Sequence, residues 1–140
     1  MKRITMLLAL LVVAPLTARA QTQIWLPQLT NDTTWDGRPL SAWIADLKEP
    51  APYTRHKAAY TISALGPAAK AAVPALIEAL KDPARTVRYA AAYALSEIGA
   101  GATEAIPALT EAEDDVDDDV VFMAKKAIKK ITAASTPPSP

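Results

Sequence analysis

The chain has 140 residues, enough for one domain and little more, and its 15 basic and 15 acidic side chains balance. Hydrophobic residues make up 51%, but Ala supplies much of that and there is one Phe, which favours close-packed helices over a β-sandwich. No Cys and a single His exclude a Cys nucleophile and a multi-His metal centre, and the lack of a basic excess excludes an electrostatic footprint for nucleic acid.

Residues 1–20 read as a signal peptide. Lys2 and Arg3 form a basic start, residues 4–14 an apolar run, and Pro15 breaks it. Ala18-Arg19-Ala20 puts small residues where a signal peptidase reads, so cleavage is expected after Ala20. The run is short for a bilayer and no second apolar stretch follows, so no membrane span is expected after cleavage. No Cys follows it to carry a lipid anchor. The expected location is extracytoplasmic, periplasmic or secreted. Loss of Lys2, Arg3 and Arg19 leaves 12 basic against 15 acidic residues, a charge of −3. With no disulfides to form, burial alone must stabilise the fold.

Residues 21–39 form an N-terminal extension and first-repeat cap. Its first part is expected to be extended and mobile, and Trp35 is expected to cover the open end of the first repeat together with Trp43.

From residue 40 the chain repeats itself. Residues 40–72 align with 73–105 without gaps: Leu47-Lys48 returns as Leu80-Lys81, Pro50-Ala51 as Pro83-Ala84, Arg55 as Arg88, Ala58-Ala59-Tyr60 as Ala91-Ala92-Tyr93, Ser63 as Ser96, Gly66 as Gly99. A third copy starts at Ile106, where Pro107-Ala108-Leu109 matches Pro74-Ala75-Leu76, and it ends near Ile131. A fixed period of this length marks stacked supersecondary units. Each unit reads as two helices. In the middle one, Pro74 suits a first helical turn, and Leu76, Ile77 and Leu80 follow at helical spacing. Asp82-Pro83 breaks and restarts the chain. Val87, Ala91, Ala94, Leu95 and Ile98 form a second apolar stripe, which Gly99 ends. In the third copy Val121 stands in the arginine column and Thr132 in the glycine column, as in a terminal cap. Its last helix is acidic at Asp117, Asp118 and Asp119 and basic at Lys125, Lys126, Lys129 and Lys130, an order that complements the helix dipole. Residues 132–140 read as a disordered Pro-rich tail.

The stretches VPALIEALKDPARTVRYAAAYALSEIG and AAVPALIEAL resemble HEAT repeats, especially the short bacterial kind first named from phycobilisome lyases. The resemblance covers about residues 40–131 and implies an all-α fold, a short right-handed α-solenoid of about three helical hairpins. It also implies that second helices line a concave face and make most contacts.

The aligned copies expose two columns on the second helices, His56, Tyr89 and Phe122 in one and Tyr60, Tyr93 and Lys126 in the next. Both fall beside the core stripe, and the resemblance turns them to the concave face. Exposed aromatics there would anchor a partner, while the alternative is packing between repeats. For Arg55 and Arg88 the resemblance implies bonds to loop carboxylates and carbonyls. The acidic run 113–119 lacks the Gly turn and terminal Glu of a calcium loop and reads as a solvated helix start. Ser63 and Ser96 occupy matching repeat positions, which points to packing over nucleophilic work. His56 precedes Lys57, so the His-Glu pairs of iron-binding helical-repeat hydroxylases are missing. No catalytic residue, metal or cofactor is expected. The expected function is a protein-binding interaction module for a partner of unknown identity. The alternatives are a self-associating unit forming a weak homodimer, and a lyase-like or chaperone-like enzyme subunit.

Overall fold

A computed structural model describes residues 33–136, so the signal peptide expected over 1–20, most of the extension and the last four residues lie outside the described residues. The described chain opens on a minute hairpin, β1 (Thr34–Trp35) and β2 (Arg38–Pro39), paired antiparallel. Asp36 and Gly37 turn it with φ of 52° and 70°, the double positive φ that Asp-Gly supplies in a two-residue hairpin loop. This strand pair departs from a purely helical reading. It holds Arg38 with its guanidinium 4.3 Å over the Trp43 ring and bonded to Asp46. Trp43 is thereby buried, whereas Trp35 remains 45% exposed. Arg38 joins the hairpin to the first repeat.

The helices keep the 33-residue period. Helix α1 (Leu40–Asp46) precedes α2 (Pro52–Leu65); α3 (Val73–Ala79) precedes α4 (Arg85–Ile98); α5 (Ile106–Glu111) precedes α6 (Asp118–Ser135). Between the hairpins run two 3-10 segments, Gly66–Ala72 and Gly99–Ala105. Both ends of α2 reappear in α4 one period later. Local chemistry explains the match. Pro74 and Pro107 each sit in a first helical turn, where no N–H is needed. Gly66 and Gly99 take φ of 55° and 67°, conformations costly for any residue with a Cβ, and so stop α2 and α4. In the third copy that column holds Thr132, and α6 runs on to Ser135. The tail expected from residue 132 is therefore helical for its first turn, with Thr132 and Ser135 hydroxyls donating to the Ile128 and Ile131 carbonyls.

Helices α2, α4 and α6 pack side by side, and each carries the first helix of its own hairpin on its flank. The result is a short all-α solenoid of three hairpins. Ala58, Ala59, Ala91, Ala92 and Ala124 are fully buried, and their small side chains let neighbouring second helices approach closely. The stripe Val87, Ala91, Ala94, Leu95 and Ile98 is no more than 1% exposed. Among the described residues one stretch, Pro52–Ala79, is apolar enough to cross a membrane by length and composition alone, with a mean hydropathy of 1.2. A second apolar stretch therefore does follow the run at residues 4–14. Gly66 breaks it, and its buried side chains belong to the core.

The two end faces differ from the middle. Where α4 carries buried Val87, Ala90 and Ala94, α2 carries Thr54, Lys57 and Thr61. Where α4 carries buried Ala92 and Ser96, α6 carries exposed Lys125 and Lys129. Leu47 and Leu80 are buried, but the third copy has Glu113 in that column. The apolar columns thus give way to polar residues at both ends.

Candidate interaction surface

Helices α2 and α4 present their free sides in register because each is stopped by the same glycine and started by the same Pro-Ala step, whereas α6 starts at the Asp117 cap and has Thr132 in the glycine column. Tyr60 and Tyr93 share a column, and their rings lie 6.0 Å apart at 27°. One turn earlier His56 stacks on Tyr60 at 6.3 Å. Such centroid distances fall in the range of favourable aromatic pairs. Tyr60 is nonetheless 60% exposed, Tyr89 40% and Phe122 66%, while His56 and Tyr93 are half-buried. Lys126 ends the second column and is exposed. The structure brings His56, Tyr60 and Tyr93 into one stacked row across the first two repeats, while Tyr89 and Phe122 are exposed at their own repeat positions without a ring contact to it among the described residues. Stacking between repeats and exposure to solvent coexist: Tyr93 is the inter-repeat contact and Tyr60 the open ring.

A second row fixes the hairpins in register. Arg55 donates from Nε and Nη2 to Asp82 at 2.6 and 2.9 Å, and from Nη1 to the Glu49 and Pro50 carbonyls. Arg88 repeats the pattern on Asp115 at 2.7 and 2.9 Å and on the Asp82 and Pro83 carbonyls. A planar fork can hold a carboxylate with one edge and carbonyls with another, which an ammonium cannot. Each carboxylate also turns its own loop, Asp82 accepting from Ala84 N–H and Asp115 from Asp117 N–H. The Arg88 guanidinium holds the Asp115 carboxyl below the ordinary aspartate value. Burial pushes Asp82 up, but the bonds from Arg55 and Ala84 outweigh it and the net shift is downward. Both arginines are raised, first by the hydrogen bonds they donate to their aspartates.

A family model of HEAT repeats matches residues 40–129, which takes in every rung of both rows. The chain belongs to the HEAT-repeat family. No curated protein matches it. HEAT repeats generally mediate protein–protein interaction, and the fold is typically a non-enzymatic scaffold. In this HEAT-repeat protein Ser63 and Ser96 donate to the Tyr60 and Tyr93 carbonyls at 2.6 and 2.8 Å, which ties both hydroxyls to helix packing. The acidic run is engaged as well. Arg88 takes Asp115, and Asp117 caps α6 through the Asp119 N–H and accepts from Arg85 at 3.2 Å. Among the described residues no three acidic or His side chains form a group that could hold a metal.

A cavity of about 340 Å³ opens beside the aromatic row, lined by His56, Arg85, Thr86, Tyr89, Asp117 and Asp119. Four of these six were not among the residues expected from sequence. The signal was present, because Tyr53, Thr86 and Asp119 form a repeat column one turn before His56, Tyr89 and Phe122, and Tyr53 is 75% exposed.

Proposed function

We propose that this chain is an extracytoplasmic interaction module that binds a protein partner through the concave side of its second helices. The observation that carries the reading is the aromatic row. Tyr60 keeps 60% of its surface open although its ring stacks on Tyr93. A scaffold that had only to fill space between repeats would bury that ring. Held rigid and exposed, it can gain contact area with little loss of rotamer freedom. The neighbouring cavity adds Arg85, Thr86 and two carboxylates for polar contacts around the aromatic centre, the usual arrangement of anchor and rim. The activity is binding; no catalytic step is assigned to any residue.

Two experiments test it. A partner captured from a periplasmic extract is titrated against variants, and Tyr89→Ala with Tyr93→Ala should weaken binding by at least about 2 kcal/mol, the hot-spot threshold. Tyr60→Ala, at a more exposed site, separates binding from folding, and Lys81→Ala at the end of a first helix should bind normally. Unchanged affinity in a folded double variant refutes the concave assignment. For the location, mass spectrometry of protein from its own host should find Gln21 or its cyclised form at the N-terminus. An intact Met1 chain in the cytosol refutes export.

A further inference from the structure

Among the described residues no further hairpin packs on the outer face of α6. On α2 and α4 the equivalent face holds Ala59 with Ser63 and Ala92 with Ser96, all buried under the next hairpin. On α6 those columns carry Lys125 and Lys129, both exposed, and the column of Arg85 carries exposed Asp118. Phe122 is 66% exposed, and Val121 and Ile128 are half-buried. These residues recur at three- and four-residue spacing and so form one stripe along the helix. Among the described residues no hydrogen bond or ion pair engages the side chains of Asp118, Lys125 or Lys129.

The stripe is ordered by sign, an order that suits the helix dipole and also leaves it self-complementary on reversal. The carboxylate comes first, the ammonium groups follow, and Phe122 lies between them. From Asp118 to Lys129 is roughly 16 Å along the helix at 1.5 Å per residue.

We infer that this face pairs with the same face of a second copy, the two α6 helices running antiparallel about a two-fold axis. An isologous contact needs a self-complementary patch, and reversal of the stripe supplies one. Each Asp118 meets the second copy's Lys129, and in the same register each Phe122 meets the second copy's Lys125, an ammonium over an aromatic ring. The register is common to both contacts because residue numbers 118 and 129 have the same midpoint as 122 and 125. A phosphate-rich surface is the competing occupant for the lysines. It would also face Asp118, with exposed Asp114 and Asp119 at the same end of the helix, and a uniformly negative surface repels that half. Phe122 ends the His56–Tyr89 column, so pairing joins the aromatic rows of the two copies and doubles the length of the surface.

Sedimentation velocity of the full chain over a micromolar concentration series tests the pairing. The expected result is a dimer that grows with concentration and weakens with salt. Asp118→Lys alone, or Lys129→Asp alone, places like charges at both ends of the contact and should raise the dissociation constant at least about tenfold, since juxtaposed like charges cost several kcal/mol. Both sites are exposed, and circular dichroism checks that each variant folds. Mixing the two variants should restore a dimer of one copy of each, because both contacts become opposite-charge pairs again. A wild-type chain that stays monomeric overturns the proposal, as does a mixture that fails to associate. Monomeric protein that binds phosphatidylglycerol vesicles through Lys125 and Lys129 also overturns it, and assigns the face to a membrane surface.

Discussion

Leu95→Ala and Ile128→Ala remove apolar side chains from one repeat column in two different settings. Leu95 is 0% exposed on the central second helix, with α2 on one side and α6 on the other. Ile128 is half-buried on α6, at the open end. Truncating Leu95 deletes three carbons, worth about 2.4 kcal/mol at about 0.8 kcal/mol per buried methylene. The void adds to this at about 24 cal/mol per Å³, and two rigid neighbours prevent full collapse, so a total of about 3–4 kcal/mol is expected. For Ile128 about half the transfer term is present in the native state and no enclosed void forms, so about 1–1.5 kcal/mol is expected. Urea unfolding followed by helical circular dichroism measures both, with constant m-values as the check on two-state behaviour. Protein concentration is held low, so that any pairing of copies does not add to stability. Equal losses at the two sites would refute the claim that the outer face of α6 is open. A loss below about 0.5 kcal/mol for Leu95→Ala would mean that the face of α4 is misassigned, since surface changes fall in that range.

Acid should weaken the fold through the arginine-bound aspartates. Their folded values lie below the ordinary one of about 3.9, so their contribution is complete above that pH and is lost as pH falls from it through the folded value. Asp115→Asn should therefore be less stable at neutral pH and show a shallower loss in acid, and an unchanged acid limb in urea titrations at several pH values would contradict this. Gly99→Ala should cost about 1–3 kcal/mol from backbone strain, although the nearest atom to a new Cβ, at 3.8 Å, is no closer than ordinary contact; a melting point equal to wild type would refute the strain. Micromolar Ca²⁺ should leave the melting point unchanged because Arg88 and Arg85 already occupy Asp115 and Asp117, and a rise of several degrees would show a calcium site in the acidic run.

Much of this fold could be read from spacing. The period, the glycine stops at residues 66 and 99 and the proline starts all act within a few residues of themselves, so sequence order alone exposes them. The arginine rungs were legible for a related reason: Arg55 and Arg88 recur with the same acid-proline step before them, and the resemblance supplied the partners. The β1–β2 hairpin was missed because its Asp-Gly turn joins strands of two residues each, too short for any alternation. The reach of α6 to Ser135 was missed because loss of the glycine was read as an end of repeat geometry, when it removes the helix stop. For the aromatic row, sequence gave the columns but not their exposure. Tyr60 and Tyr93 look alike in a repeat alignment, and only the flanking hairpins decide which ring is open. The cavity wall was missed because Arg85, Thr86, Asp117 and Asp119 converge from two helices and a loop that lie a full repeat apart.

The middle hairpin alone among the three has apolar columns on both flanks, with one arginine to give to the next unit and one aspartate to accept from the last. It is in effect a monomer unit for a chain-growth scheme whose two end groups are the polar faces of the outer hairpins. A block of 33 residues copied from 73–105 and inserted after Ala105 would meet the same neighbours that the original meets. Every added block brings its own glycine stop, its own arginine rung and one more tyrosine pair for the open row. Copy number then sets the span of the surface while the end groups keep the assembly finite, so a family of rulers of graded length could be cut from this one sequence without designing a new contact.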